Sequence, residues 1–143
     1  IKLNKILFAI TAIFFANTLS AATFEIEMLN RLGKESMVYS QSVVNIQSGD
    51  TVKWLATTKG HNVQFLKTPE GVGAFRSKLN VDTEYTFTVP GIYLYQCTPH
   101  KNMGMIAVVV VDGNKDNLNA ITSARVAGKS KQRLAKIIET LSS

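Results

Sequence analysis

Hydrophobic and polar residues alternate in several short segments of the chain. The alternation is clearest in residues 23–29 and recurs in residues 51–56 and 83–89. Successive side chains of a β-strand point to opposite sides, so an apolar residue at every second position gives the strand one apolar face. These three segments therefore predict strands that are buried on one side.

Further segments extend this pattern. Residues 92–97 place Tyr93, Tyr95 and Cys97 on one side, and residues 105–111 form an unbroken apolar run rich in valine, as in a core strand. Shorter strand candidates are residues 42–46 and 61–66, and turn signals stand at residues 47–50 and 90–91. Many short strands separated by turns predict an all-β sandwich or barrel.

The C-terminal part of the chain changes to a helical period. Leu118, Ile121 and Arg125 have helical spacing, with Asn114 or Asp116 as N-cap candidates and Gly128 as a stop. A second helix is predicted to begin at Ser130, as its N-cap, and to place these residues on one face: Leu134, Ile137, Ile138 and Leu141. We expect two short amphipathic helices that cover the sandwich core and have no functional role of their own.

Residues 1–21 have the composition of a secretory signal peptide. Lys2 and Lys5 precede an apolar run at residues 6–16, interrupted only by a threonine, and small residues follow up to Ala21 and Ala22. The run is shorter than the roughly 20 apolar residues of a membrane-spanning helix. We therefore expect export with cleavage after Ala21, or else after Ala22, and one domain over residues 22–143.

Charge and cysteine content narrow the possible partners. The formal net charge is +6, and two of these charges lie in the predicted leader, which leaves +4. The basic residues are scattered, so a nucleic-acid-binding tail is not predicted; an acidic protein partner or ordinary solubility explains the balance. The chain has one cysteine, so it forms no internal disulfide and its apolar core must hold the fold.

The single cysteine belongs to a group of soft metal ligands. The chain has two histidines, and the order His61, Cys97, His100, Met105 supplies two imidazoles, a thiolate and a thioether. Two His and one Cys in a plane with a weak axial Met form the blue (type 1) copper site of electron-transfer proteins. Because Cys97 ends one predicted strand and Met105 begins the next, the loop between them can bring its three ligands to one point.

Alternatives to this copper site are a buried apolar cysteine, a cysteine nucleophile paired with a histidine, and a zinc site. Met103 is a competing thioether ligand.

Four side-chain ligands would leave no open position for a substrate, which favours electron transfer over an enzymatic function. A copper chaperone or storage protein is the other functional class, and reversible reduction with loss of colour would distinguish the carrier from it.

The sequence also resembles a known family, the cupredoxins, and within them the pseudoazurin branch. The matching stretches are FEIEMLN, GDTV, KGHNV, PEG, YLYQCTPHKNMGMIA and the helical tail from residue 117 to residue 141. The resemblance implies an eight-stranded Greek-key sandwich with copper bound by Nδ1 of His61 and His100. It also implies a hydrogen bond from the Asn62 backbone N–H to the thiolate and places Met37 over the His100 ring.

The same resemblance implies a function. It suggests a monomer that carries electrons in the bacterial periplasm, with copper nitrite reductase as acceptor in denitrification and no predicted donor. Lys101 departs from the family, in which an aromatic residue is common at this place. An apolar docking patch is expected to comprise Met37, Gly60, Pro99, Met103 and Gly104. The basic rim around it is expected to comprise Arg31, Lys34, Lys59, Lys67, Arg76, Lys78 and Lys101.

Overall fold

The computed structural model describes residues 9–15 and 20–143 of the chain. The strands are β1 (Thr23–Leu32), β2 (Glu35–Tyr39), β3 (Val43–Ile46), β4 (Thr51–Leu55), β5 (Gln64–Lys67), β6 (Thr83–Thr86), β7 (Gly91–Gln96) and β8 (Ile106–Val111). A 3-10 turn spans Thr98–His100, and the helices are α1 (Leu118–Thr122) and α2 (Ser130–Ser142).

The strands form two four-stranded sheets packed face to face. The first sheet has the order β2-β1-β4-β6 and the second has the order β3-β8-β7-β5. β1 runs parallel to β4 and β3 parallel to β8, whereas the other neighbours are antiparallel. From β2 to β7 each successive strand lies in the other sheet, whereas β1–β2 and β7–β8 are neighbours within one sheet. The eight-stranded Greek-key sandwich with two C-terminal helices is confirmed.

Alternating side chains of β7 and β8 serve two separate cores. Tyr93 and Tyr95 point between the sheets, where they meet Trp54 and the cluster that contains Cys97. Ile92 and Leu94 point to the other side, where α1 and α2 cover them. This second cluster explains why residues 106–111 are apolar at every position, because a strand buried on both faces shows no alternation.

The strand β2 was missed by the residue pattern, although the resemblance implied eight strands. Met37, in the middle of β2, has a φ of 54°, and Val38 and Tyr39 after it are both buried. A residue in the left-handed region is uncommon and disturbs the regular alternation of an extended strand. The period-2 signal is therefore absent from a segment that nevertheless pairs with β1 on both sides of Met37.

The helices differ from their predicted limits. α1 has only five residues and begins after Asn117, so the prediction of a longer helix capped by Asn114 or Asp116 is wrong. The side chain of Asn117 instead bonds the backbone N–H and carbonyl of Ile92. α2 begins at Ser130, but the Ser130 hydroxyl does not cap it. Among the residues described, no helix combines the length and apolar character needed to cross a membrane.

Part of the predicted leader lies outside the described residues, namely 1–8 and 16–19. The described parts of the leader, residues 9–15 and 20–21, have no regular secondary structure. The large apolar side chains of residues 9–15 are exposed, with Phe14 at 93% and Ile10 at 92%. The sandwich core therefore gains nothing from these side chains.

Candidate metal centre

Three potential ligand atoms meet at one end of the sandwich. Cys97 Sγ lies 3.7 Å from His61 Nδ1 and 3.4 Å from His100 Nδ1. Each of the three side chains offers one donor atom, and all these atoms lie within 4.8 Å of one another. The two imidazole rings are 5.0 Å apart between centroids. The structure thus brings together the two histidines and the cysteine that the sequence selected.

These distances have the size expected around one metal ion. A metal–sulfur bond of about 2.3 Å and a metal–nitrogen bond of about 2.0 Å, as at zinc sites, place S and N about 3.7 Å apart at a 120° angle. The observed Sγ–Nδ1 distances are 3.7 and 3.4 Å. One ion can therefore lie between the three atoms with little movement of the side chains. Thiolate and imidazole donors favour copper over hard cations such as calcium.

The strands β7 and β8 position the cysteine and the methionine. Cys97 directly follows β7, Met105 directly precedes β8, and the Cys97 N–H donates to the Met105 carbonyl at 3.0 Å. Both side chains are fully buried in the same core cluster. Met103, by contrast, is 43% exposed. Burial beside Cys97 favours Met105 over Met103 as the thioether ligand.

Local backbone geometry brings His100 back to the sulfur. The turn Thr98–His100 has proline at its start, and the His100 N–H donates to the Cys97 carbonyl at 3.2 Å. Gly60 faces this turn with a φ of 96°, and a Cβ there would lie 3.8 Å from Cε1 of His100. The strain at this positive φ, rather than lack of space, disfavours a larger residue at position 60.

His61 is oriented by a contact that the sequence did not reveal. Its Nε2 lies 2.7 Å from Oδ1 of Asn30, in β1, and its Nδ1 faces Cys97. Because the amide oxygen can only accept, Nε2 carries the proton and Nδ1 keeps its lone pair for a metal. The two residues are 31 positions apart. No local motif indicates such a pair.

Asn62 joins the two loops that carry the ligands. Its side-chain oxygen accepts the Thr98 N–H at 2.8 Å and the Thr98 hydroxyl at 3.2 Å. Its backbone carbonyl accepts the Tyr39 hydroxyl at 2.7 Å. Asn62 is 1% exposed, so these bonds replace contacts with water. The loop before β5 and the loop after β7 are therefore fixed relative to each other.

The same environment sets the protonation of the ligands. Burial raises the pKa of the Cys97 thiol, and the backbone N–H groups of Asn62 and His100 partly oppose this rise. The expected hydrogen bond from the Asn62 N–H to the thiolate stays a prediction. Burial, with the nearby His100, lowers the pKa of His61, and burial also lowers the pKa of His100. The metal-free site thus favours a neutral thiol and neutral imidazoles, and binding a metal must release the thiol proton.

Residues 26–112 match the profile of the copper-binding proteins of the plastocyanin/azurin family. This match covers more than half of the chain.

The chain belongs to this family.

Pseudoazurins are among its relatives. That of Paracoccus pantotrophus is 40% identical over 116 residues, which cover 80% of each protein. A putative pseudoazurin of Rhizobium leguminosarum bv. viciae is 38% identical, with 94% of this chain and 90% of the relative covered. The crystal structure of pseudoazurin from Methylobacterium extorquens AM1 superposes with a TM-score of 0.79 at 32% identity, covering 83% of this chain and 98% of the other. Copper is the cofactor that the family and this set of donors share.

The expected docking surface needs one correction. All seven basic residues of the predicted rim are exposed, as are Pro99 and Met103. Gly104 is buried: a Cβ at this position would lie 3.5 Å from Cβ of Lys129 and from Nε of Arg133, at the start of α2. Gly104 therefore packs under a helix and offers no surface to a partner. Met37 is half-buried against the core cluster, and its placement over the His100 ring stays a prediction.

The lowered histidine pKa values predict how the stability of the metal-free protein depends on pH. The ordinary pKa of His is about 6.5, and both values are lower in the folded state. Below pH 6.5 the unfolded chain then binds more protons than the folded protein. The contribution of the two histidines to the free energy of unfolding should therefore be complete above pH 6.5 and should fall as the pH drops below it. Urea titrations of the metal-free protein between pH 7 and pH 5.5 measure this change.

The control is the double variant His61→Gln, His100→Gln, which contains no imidazole because the chain has two histidines. Its free energy of unfolding should vary less over the same pH range. Equal pH dependence in the two proteins would contradict the burial of neutral imidazoles.

Proposed function

We propose that the protein is an exported carrier of single electrons that binds one copper ion through His61, Cys97, His100 and Met105. The single observation that carries this proposal is the set of three donor atoms within 4.8 Å of one another, next to a buried methionine. Copper, when bound there, would supply the one-electron Cu(I)/Cu(II) couple. Four side chains would enclose it, so we propose no substrate and no enzymatic reaction.

Rigidity of the ligand set suits this function. Asn30 orients His61, Asn62 bonds Thr98, and the Cys97–Met105 backbone bond closes the loop at the end of the sheet. Ligands held in this way move little when the charge of the metal changes. A small rearrangement lowers the barrier to electron transfer, because the surroundings are already arranged before the electron arrives.

The proposed path for the electron leaves through His100. His61 is fully buried, whereas His100 is partly exposed and stands beside the exposed Pro99 and Met103. A partner that covers these residues would reach the imidazole of a ligand without crossing the core. Small or apolar neighbours allow close approach, which matters because electron transfer weakens steeply with distance.

Charge supports an acidic partner for this face. The exposed basic rim includes Lys101, which directly follows His100 in the chain, and Lys59, which stands two residues before His61. A surface depression beside Met103 contains Lys34 of this rim and adds Lys129, Arg133 and Lys136, with Glu35 as the acidic member. Rim charges mainly raise the rate of encounter and select the partner. We propose copper nitrite reductase, acting in denitrification, as the acceptor, and a monomeric carrier.

Export is the second part of the proposal. Residues 1–21 would act as a secretory signal and leave a domain of residues 22–143 in the periplasm. The leader composition and the exposure of the apolar side chains in residues 9–15 support this. An oxidising compartment is compatible with a single cysteine that is fully buried.

A copper chaperone or storage protein is the competing function. Transfer of a metal to another protein needs ligands that a partner can reach. Here Cys97, His61 and Met105 are each 0% exposed. Burial of three of the four ligands therefore favours a carrier that keeps its copper.

The first test of the site is removal of its thiolate. The copper-loaded oxidised protein should absorb strongly in the visible region, should lose this band on reduction and should regain it on oxidation. Cys97→Ala should abolish the band, because sulfur-to-copper charge transfer is its source. The fold should persist at a cost of about 1 kcal/mol for the lost apolar contact. Circular dichroism and visible spectra measure both properties, and a Cys97→Ala protein that keeps the colour would refute the assignment.

The docking proposal is tested with two matched neutralisations. Lys101→Gln, beside His100, should slow the second-order reaction with copper nitrite reductase severalfold at low ionic strength. Lys53→Gln makes the same change in net charge on β4 and should have a smaller effect. Salt should remove the difference, because the Debye length is about 3 Å at 1 M ionic strength. Stopped-flow traces over a series of salt concentrations measure the rates.

Equal rates for Lys101→Gln and Lys53→Gln at low salt would show that net charge alone matters and would remove the rim from the proposal. A wild-type rate that is indifferent to salt would remove electrostatic steering altogether. Neither result would affect the copper site, which the thiolate variant tests separately.

A further inference from the structure

The start of α2 is bonded directly to the loop that carries His100 and Met105. The Ser130 hydroxyl donates to the Lys101 carbonyl, and the Lys129 N–H donates to the Asn102 carbonyl at 2.9 Å. Ser130 is 0% exposed. The carbonyls of Lys101 and Asn102, two successive residues of the ligand loop, thus accept hydrogen bonds from two successive residues at the start of the helix. The bond from Ser130 is shielded from water.

Gly128 allows this close approach. A Cβ on Gly128 would lie 2.3 Å from the Asn102 carbonyl oxygen, a distance that real Cβ atoms do not reach, and its φ is 57°. Any other residue would therefore push the loop away from the helix. Arg133, in the same turn of the helix, forms an ion pair of 2.6 Å with Glu35, the first residue of β2. The first turn of α2 thus joins the ligand loop to the β1–β2 hairpin.

We propose that residues 128–130 act as a clamp that positions the loop between His100 and Met105. Ser130 is then a positioning residue: it does not touch the metal, but it fixes the backbone between two ligands. This proposal goes beyond the expectation that the C-terminal helices only cover the core. This inference rests on the proposed copper ligands. It adds that the helix, by holding the loop, affects how tightly the site binds copper in each oxidation state.

A looser loop should favour the reduced site. Cu(I) accepts fewer ligands than Cu(II), so freedom of His100 to move away stabilises Cu(I) more than Cu(II). Loss of the clamp should therefore raise the reduction potential and broaden or shift the visible band. Loss of a purely structural contact would lower the free energy of unfolding and leave both spectrum and potential unchanged.

The test compares Ser130→Ala and Gly128→Ala with Ser142→Ala in the copper-loaded protein. Among the residues that the structure describes, the Ser142 hydroxyl bonds only the Ile138 carbonyl of the same helix, so this variant removes a serine from α2 without touching the loop. Voltammetry should give a higher potential for the two clamp variants and the wild-type value for Ser142→Ala. In the metal-free protein, Ser130→Ala should show faster amide hydrogen exchange at residues 101–105, and Ser142→Ala should not.

Wild-type potential, spectrum and loop exchange in Ser130→Ala would overturn the clamp. If Gly128→Ala does not fold, Ser130→Ala decides alone, because it only removes a hydroxyl. Failure of the copper-site proposal has a different signature: Cys97→Ala would then keep its colour whatever the clamp variants show.

A separate observation concerns the start of the proposed mature chain. Asp50 is 6% exposed, and its two carboxylate oxygens accept the N–H groups of Ala22 and Gln47, each at 2.8 Å. The Ala22 carbonyl accepts the Thr51 N–H at 2.9 Å. Within residues 9–15 and 20–143, the one ion pair is between Arg133 and Glu35, so this carboxylate has no cationic partner there.

We infer that Asp50 receives the α-ammonium group that cleavage after Ala21 creates. The nitrogen that donates to Asp50 as an amide would become the charged N-terminus at the same place, and a buried carboxylate would gain an ion pair. Cleavage after Ala22 would remove both contacts of that residue. The geometry therefore selects Ala21–Ala22 as the processed bond, and processing would stabilise the folded domain. This inference rests on the export proposed above.

The test uses the protein exported from the full-length gene. Its intact mass should correspond to a chain that starts at Ala22. The α-ammonium pKa, measured by NMR, should exceed the ordinary range of about 7.7–8.0 and should fall in Asp50→Asn. That substitution should also lower the denaturation midpoint more in the processed protein than in the precursor, which retains its leader.

The outcomes of this test distinguish the proposed export from the proposed role of Asp50. A different N-terminus would overturn the proposed cleavage and the role of Asp50 together. A chain that starts at Ala22 but has an ordinary α-ammonium pKa, or equal losses from Asp50→Asn in both forms, would overturn the role of Asp50 and leave export intact.

Discussion

The structure depends on holding one sulfur atom between two imidazole nitrogens inside an apolar core. Cys97 Sγ lies 3.4 and 3.7 Å from the two Nδ1 atoms, and burial raises its pKa and lowers those of both histidines. Such a site is kept neutral when empty and is ready for a soft metal. No disulfide can brace it, because the chain has one cysteine. The packing of the two sheets must therefore supply the rigidity.

Two central strands meet this requirement. β7 and β8 are buried on both faces, so the sheet that ends at Cys97 and Met105 is covered by the opposite sheet on one side and by helices on the other. A ligand at the end of such a strand inherits its fixed position. The ligands that come from loops, His61 and His100, need extra hydrogen bonds, and Asn30, Asn62 and the Cys97 carbonyl provide them.

The pattern of the sequence predicted the features that depend on local spacing. Seven strands and the order of the ligands could be inferred, since alternation and a short Cys-to-Met loop are visible along the chain. β2 could not, because Met37 adopts a positive φ within it. The short α1 could not either, because Asn117 bonds Ile92 across 25 residues. The contact between Asn30 and His61 spans 31 residues, so only the folded chain reveals it.

The C-terminal tail shows how one element can serve stability and the site together. The apolar face of α2 packs on the second core, which fixes the helix against β8. Its first turn then reaches the ligand loop through Ser130 and Lys129. Because core packing holds the helix, its hydrogen bonds can restrain the loop rather than follow it. Exposed basic residues at the same turn, such as Lys129, add to the proposed basic rim. The roles of the residues at this turn differ with their exposure to solvent: buried groups fix the ligands, and exposed charges remain available to guide a partner.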